Sequence, residues 1–269
     1  MNKILLIGAG HMGQSLLIGW LKSNITNITI VDPLLSQKKK SIFGIKIYKS
    51  YDEIKNVNNH NIIFFAIKPQ ILKKVLNDYK TLTFKKKLII SIVAGKKINF
   101  FEKVFGKNLA IIRTMPNLPS SVGKGVTCIF ANKNVNNKQK KFTNKLFSSV
   151  GKTFWVKKEN FINKFTSLSG SGPAYYYHFI ECLKDAGIKL GLSKVVAYEV
   201  AKETAIGSIK LLELSNENAK VLRENICVKG GTTEAAIKKL KRKNLMKKTI
   251  FLGVNAAFKR ANKLGQEKK

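Results

Sequence analysis

The chain has 269 residues, 44% of them hydrophobic, which suffices for one large domain or two modest ones with a buried core. Its net charge of +35 is almost all lysine, since arginine occurs only at Arg113, Arg223, Arg242 and Arg260. Specific base and phosphate readers favour arginine, and these lysines are scattered, so the charge reads as a compositional bias on a solvated surface and argues against a nucleic-acid partner.

The first element is an apolar run from Lys3 to Ile7, as a buried parallel strand requires. It enters Gly8-Ala9-Gly10-His11-Met12-Gly13, and helical apolar spacing follows from Gln14 to Lys22. Strand, glycine turn and helix in this order form the dinucleotide-binding signature. Gly8 permits the tight turn, Gly10 lets the backbone approach a pyrophosphate, and Gly13 lets the helix pack close. The helix N-terminus presents free N–H groups to the phosphates. A second strand, Ile28 to Val31, ends at Asp32, near where an acidic residue would hold the adenosine ribose hydroxyls. Two features compete with that reading. Ser36 and Lys38 to Lys40 suit a 2′-phosphate, and Asp32 with Pro33 suits a turn.

Further strands are expected at 61–67, 88–93 and 109–112. They end in Lys68-Pro69, Ala94-Gly95 and Arg113-Thr114-Met115-Pro116-Asn117, with helices at 71–79 and 98–105 between them. Apolar strands alternating with helices imply a mostly parallel sheet covered on both faces, an α/β Rossmann domain with ligands beyond the carboxyl ends of its strands. Lys68 is accordingly a stronger ligand candidate than most lysines here.

After Val156 the reading turns helical. Ser169-Gly170-Ser171-Gly172-Pro173-Ala174 reads as a capped helix start, open to an anion, before an amphipathic run over 175–190. A second helix spans 193–214, and Gly230-Gly231-Thr232-Thr233-Glu234 opens a last one. Tyr175, Tyr176, Tyr177 and Phe179 read as core or subunit interface. Cys128, Cys182 and Cys227 are widely spaced and read as reduced structural thiols. His11, His60 and His178 form no cluster such as His-x-x-x-His among themselves, so no zinc or iron enzyme is expected. No stretch approaches the roughly 18 apolar residues of a membrane span, and no signal-peptide cleavage pattern follows Met1-Asn2-Lys3. The reading is therefore cytoplasmic, with no membrane partner.

Taken in order, Gly8 to Gly13, Phe65-Ala66-Ile67-Lys68-Pro69, Ser91-Ile92-Val93-Ala94-Gly95, Ile112 to Asn117, Leu168 to Tyr175 and Gly230 to Thr233 resemble the pyrroline-5-carboxylate reductase family across nearly the whole chain. The resemblance implies reduction of 1-pyrroline-5-carboxylate to L-proline with NADPH, NADH being an alternative. It implies a Rossmann domain over 1–158 and an all-α dimerisation and substrate domain over 159–269, assembled as a homodimer or decamer. By the same resemblance Gly8, Ala9, Gly10, His11, Met12 and Gly13 hold the pyrophosphate. Ala66, Ile67, Lys68 and Pro69 lie along the nicotinamide ribose, and Ile92, Val93 and Ala94 near the ring. Asn56 is an adenosine contact, and Asn225 a contact to the cofactor or the active-site wall. Glu159 stands on the substrate side. Gly231, Thr232 and Thr233 receive the substrate carboxylate, and the Thr233 hydroxyl bonds the ring nitrogen. The sequence departs from the family at Lys229, usually proline, and at His11, usually asparagine; Asp32-Pro33 is also an atypical end to the second strand. A β-hydroxyacid dehydrogenase would need a lysine with an asparagine one helical turn later, and Lys184 with Ile188 does not supply that pair.

Overall fold

In the computed structural model, residues 2–35, 45–79, 84 and 86–266 are described. They form two compact units, 1–171 with 257–269, and 172–256.

The first unit is built on one eight-stranded sheet of order β3-β2-β1-β4-β5-β6-β7-β8. The strands are β1 (Ile4–Ile7), β2 (Ile28–Val31), β3 (Lys46–Tyr48), β4 (Ile62–Phe65), β5 (Leu88–Ser91), β6 (Ala110–Met115), β7 (Gly125–Ala131) and β8 (Gly151–Trp155). All pairs are parallel except β6 with β7. Successive side chains along each strand feed two cores in turn, as the strand period of two dictates. Leu6, Ile30, Phe64, Ile90 and Ile112 pack with Trp20 and Phe147 on one face. Leu5, Ile7, Ile63, Phe65, Ile89 and Ile111 pack with Leu76 and Phe101 on the other. Burial on both faces explains why these strands read as continuous apolar runs. The covering helices are α1 (His11–Lys22), α2 (Leu72–Asp78), α3 (Ile98–Phe105) and α4 (Asn137–Ser148). Asn136 and Gln139 close a capping box at the start of α4.

Two expectations change here. The third of the later strands does not stop at Ile112 but runs on to Met115, so Arg113 and Thr114 pair with Phe130 and Ile129 of β7 and do not form a ligand-facing end. The run Ser169 to Pro173 does lead into a helix, at Gly172, but Ser169 does not cap it. After α5 (Phe161–Phe165) the chain makes a π-helical turn, Thr166–Gly170. There the Ser169 hydroxyl donates back to the Phe165 carbonyl (2.9 Å), and the Ser171 N–H is taken by the Thr166 carbonyl (2.9 Å). These two groups are engaged within the helical turn.

The second unit is helical: α6 (Gly172–Lys189), α7 (Lys194–Leu214), α8 (Ala219–Asn225), α9 (Thr232–Lys241) and the first part of α10 (Leu245–Leu264). Helices α6 and α7 form a hairpin. Gly191 takes the left-handed turn (φ +96°), and Gly187 sits so close to Ala197 that an added Cβ would lie 3.2 Å from its methyl. Tyr176, Tyr177 and Phe179 are exposed within the single chain, so the aromatic run of α6 is not core.

At the amino ends of the strands, His60 is buried. Its Nδ1 meets the Val57 carbonyl (2.9 Å), which can only accept, so Nδ1 carries the proton and Nε2 accepts from the Thr29 hydroxyl (3.0 Å). Lys87 Nζ donates to the carbonyls of Asn58 and His60, each at 2.6 Å. Burial, aided by the charges of Lys87 and Lys3 and opposed by the Val57 carbonyl, lowers the His60 pKa below 6.5. The unfolded chain thus binds this proton more tightly than the folded one, and protonation favours unfolding. Stability is expected to fall as pH drops below about 6.5. Urea midpoints between pH 7 and pH 5 should fall less steeply in His60→Gln; equal slopes would assign the acid loss to other groups.

Candidate active site

Parallel hydrogen bonding continues one residue past the strand ends and fixes the site. The Gly8 N–H donates to the Val31 carbonyl (2.8 Å), the Ala66 N–H to Ile7 (2.8 Å) and the Ile92 N–H to Phe65 (3.1 Å). Gly8, Ala66 and Ile92 therefore lie side by side at the carboxyl ends of β1, β4 and β5, and Asp32 flanks them at the end of β2. This is the crevice in which ligands bind in open parallel sheets.

The glycine turn has the geometry its sequence promises. Gly8 has φ +88°, and a Cβ there would meet Ile67 Cγ2 at 2.5 Å and the Ala66 carbonyl oxygen at 2.8 Å. A Cβ on Gly13 would meet the Gly8 carbonyl oxygen at 2.8 Å. A Cβ on Gly10 would meet nothing within 4 Å, so the backbone there borders open space. Gly10 is the N-cap of α1, supplies no side-chain cap, and no acidic residue stands in the first turn. The N–H groups of the first turn lack intrahelical acceptors by construction, so this end of α1 fits a pyrophosphate.

Asp32 braces the turn. Its Oδ2 accepts from the Ala9 N–H (2.6 Å) and its Oδ1 from the Leu34 N–H (2.8 Å). The bond from Leu34 is the turn-capping role expected of Asp32 with Pro33, whereas Ser36 and Lys38 to Lys40 lie outside the described residues. Gln14 Nε2 donates to the Ala9 carbonyl (2.6 Å) on the other side. Lys68 is exposed at the rim, beside Ala66, Ile67 and Pro69. Ile92 and Val93 are buried below it, Ala94 is half-buried, and Gly95 (φ +73°) packs directly against Leu264. Asn56, exposed and left-handed (φ +61°), opens the short turn Val57–Asn59 that leads to the amino end of β4.

Glu159 is engaged within the protein. Its Oε1 accepts from the Ile98 N–H at the start of α3 (2.9 Å) and from Arg113 Nη1 (3.2 Å). Arg113 Nη2 donates to Asn163 (3.2 Å), and Asn163 donates to Asn262 on α10 (2.8 Å). Burial lowers the Arg113 pKa, and Glu159 opposes that shift. Sequence reasoning placed Arg113 at a strand end and missed this network, whose partners lie far apart in the chain. It missed Asn117 as well, which accepts from Val126 N–H (2.8 Å) and donates to the Ser169 carbonyl (2.9 Å).

In the second unit, Gly231 caps α9, and Thr232 and Thr233 are its first two residues. Glu234 reaches back to the Gly230 N–H (2.7 Å), which fixes the loop, with Gly230 at φ +77°. Thr232 is exposed and Thr233 half-exposed. Asn225 is exposed at the end of α8, and Lys229 is exposed beside the glycine pair. A separate cavity, lined by Asn2, Asn61, Ile62, Lys86 and Phe142, opens at the amino ends of the strands and is no part of this site.

Residues 159–264 match the family model for pyrroline-5-carboxylate reductase dimerisation, and residues 3–95 match that for NADP oxidoreductase, coenzyme F420-dependent. The pyrroline-5-carboxylate reductase of Pisum sativum is 33% identical over 262 residues, spanning 96% of this chain and 94% of its own. The chain belongs to the pyrroline-5-carboxylate reductase family. The crystal structure of the Plasmodium falciparum pyrroline carboxylate reductase with NADP bound is similar at a TM-score of 0.85 and 34% identity, over 98% of both chains. That of the pyrroline-5-carboxylate reductase from Coxiella burnetii gives 0.88 and 32%, again over 98% of each. The chain carries the glycine turn in its first unit and the Gly231-Thr232-Thr233 loop, with Lys229 two residues before it, in its second.

Proposed function

We propose that this protein reduces 1-pyrroline-5-carboxylate to L-proline, the last step of proline biosynthesis, with NADPH as donor and NADH as the alternative. The observation that carries the reading is the glycine turn, where of the three glycines only Gly10 borders open space, in a chain that matches pyrroline-5-carboxylate reductases over nearly its full length. When bound, the nicotinamide would supply a hydride to the C=N carbon of the imine, which is C2 of the pyrroline ring and becomes C5 of proline. The chain's own part is to hold the two reactants. Gly8 to Gly13 take the pyrophosphate, with Asp32 holding the turn. Ala66 to Pro69 and Ile92 to Ala94 line the nicotinamide end, Asn56 takes the adenosine side, and Asn225 and Glu159 stand near the cofactor and substrate. The N–H groups at Gly231, Thr232 and Thr233 receive the substrate carboxylate, with Lys229 adding a cation. The ring nitrogen takes a proton from solvent, which makes the adjacent C=N carbon more electrophilic. Thr233, a weak acid, orients the resulting N–H and does not supply that proton. Positioning of this kind contributes about 7–11 kcal/mol to a two-reactant step.

The dimerisation match over residues 159–264 supports a functional boundary at 158/159, thirteen residues before the point at which the compact units divide. Exposed Tyr176, Tyr177, Phe179, Val195, Phe251 and Leu252 support self-association as a homodimer or as a decamer of five dimers. Among the described residues no helix is long and apolar enough to cross a membrane. All three cysteines are free thiols, which supports a reducing compartment, the cytoplasm. Chromatographic analysis of the product tests the reading. L-Proline should appear in step with NADPH consumed; NADPH loss without proline would overturn the substrate.

A further inference from the structure

On α6, outside the reductase site, His178, Glu181 and Cys182 share one exposed face, as their i, i+3 and i+4 spacing requires. Glu181 Oε2 lies 3.1 Å from His178 Nδ1, and Cys182 Sγ lies 3.8 Å from His178 Nε2. A carboxylate accepts and does not donate, so Nδ1 carries the ring proton and the Nε2 lone pair is turned toward the sulfur. This is the arrangement in which a carboxylate orients a metal-binding histidine. The spacing of the donor atoms fits as well. Zinc bonds of about 2.0–2.1 Å to nitrogen and 2.3 Å to sulfur, set at a tetrahedral angle, place the two donors about 3.6 Å apart. Small rotations of two exposed side chains close the difference from 3.8 Å. By contrast, burial pushes the Cys128 thiol up to about 12, so that sulfur is unsuited to the same chemistry.

We propose that His178 and Cys182 form a half-site for a zinc-class cation, with Glu181 orienting the histidine. Among the described residues no three His, Cys, Asp or Glu side chains converge on a complete metal centre, so the remaining coordination positions belong to water or to a second copy of the chain. Binding joins the metal to Nε2 and Sγ and releases the thiol proton to solvent. No redox step is involved, and the binding does not depend on the reductase reading.

The test is titration of the untagged, full-length, reduced protein with Co2+, followed by competition with Zn2+. Wild type and Cys227→Ser should both show a sulfur-to-cobalt charge-transfer band that saturates with the metal and is displaced by Zn2+. Cys182→Ser should abolish the band. His178→Ala should weaken Co2+ binding by tenfold or more, and Glu181→Ala by about tenfold, the lower end of the range for an orienting partner. No band in wild type, a band that survives in Cys182→Ser, or undiminished affinity in His178→Ala would each overturn the site.

Discussion

The Gly8→Ala protein is expected to lose about 2–5 kcal/mol of folding stability, combining the cost of a left-handed alanine with that of overpacking. At φ +88° the new methyl would press on Ile67 Cγ2 and on the Ala66 backbone, and the backbone of a buried strand end has little room to yield. Gly10→Ala is expected to behave differently. Its φ of −66° and ψ of −169° suit alanine, and nothing lies within 4 Å of the new atom, so stability should stay near that of wild type. The methyl would project from the face the pyrophosphate approaches. NADPH affinity should therefore drop by about tenfold or more, an overpacking cost of 1–3 kcal/mol moved from folding to binding. Urea denaturation together with NADPH titration separates the two. Equal loss of stability in both variants would mean that the turn is only a structural corner.

Glu159→Ala should be the most damaging change in the polar interior. Arg113 is 2% exposed and keeps its charge, so losing the carboxylate leaves a buried cation without its counter-ion, a loss of about 3–5 kcal/mol. The Ile98 N–H at the start of α3 loses its acceptor in the same step. Adding Arg113→Met should recover much of the stability, because the unpaired charge and not the missing contact is the main cost. Glu159→Gln keeps an acceptor for Ile98 and Arg113 and should retain more stability than Glu159→Ala. It also probes the substrate role: a raised KM for the imine with an unchanged denaturation midpoint would add substrate contact to the structural one. A Glu159→Ala protein that unfolds at the wild-type urea concentration would show that Arg113 finds solvent or another partner.

These cases mark what local sequence could disclose. β1, the glycine turn and α1 were legible because a strand buried on both faces, a turn needing φ above zero and a helix start each leave a short-range signal within 20 residues. β2, α3 and α7 were legible for the same reason, down to their ends within one residue. The pair β7 and β8 was not. β7 mixes Gly125, Thr127 and Cys128 among its apolar residues, and it pairs antiparallel to β6, outside the alternating pattern. Arg113 was read as the polar end of a strand because a charge inside a buried strand needs a partner that sequence does not reveal; here the partner is Glu159, beyond two further strands and a helix. Ser169 and Ser171 were read as caps, but serine also bonds back to a carbonyl one turn earlier, as Ser169 does, and only the geometry distinguishes the two uses. The cofactor crevice was therefore legible largely from its motifs, whereas the bracing by Asp32, Asn117 and Arg113 emerged from contacts distant in sequence.

The most direct test is the initial rate of NADPH oxidation with DL-pyrroline-5-carboxylate, measured on wild type and on Thr233→Ala of equal urea midpoint. The account predicts oxidation that depends on the imine, with kcat/KM lowered by about 10- to 100-fold in Thr233→Ala, the scale of one hydrogen bond to a charged N–H. Folded wild-type protein that oxidises no NADPH in the presence of the imine, or a Thr233→Ala protein as fast as wild type, would contradict it.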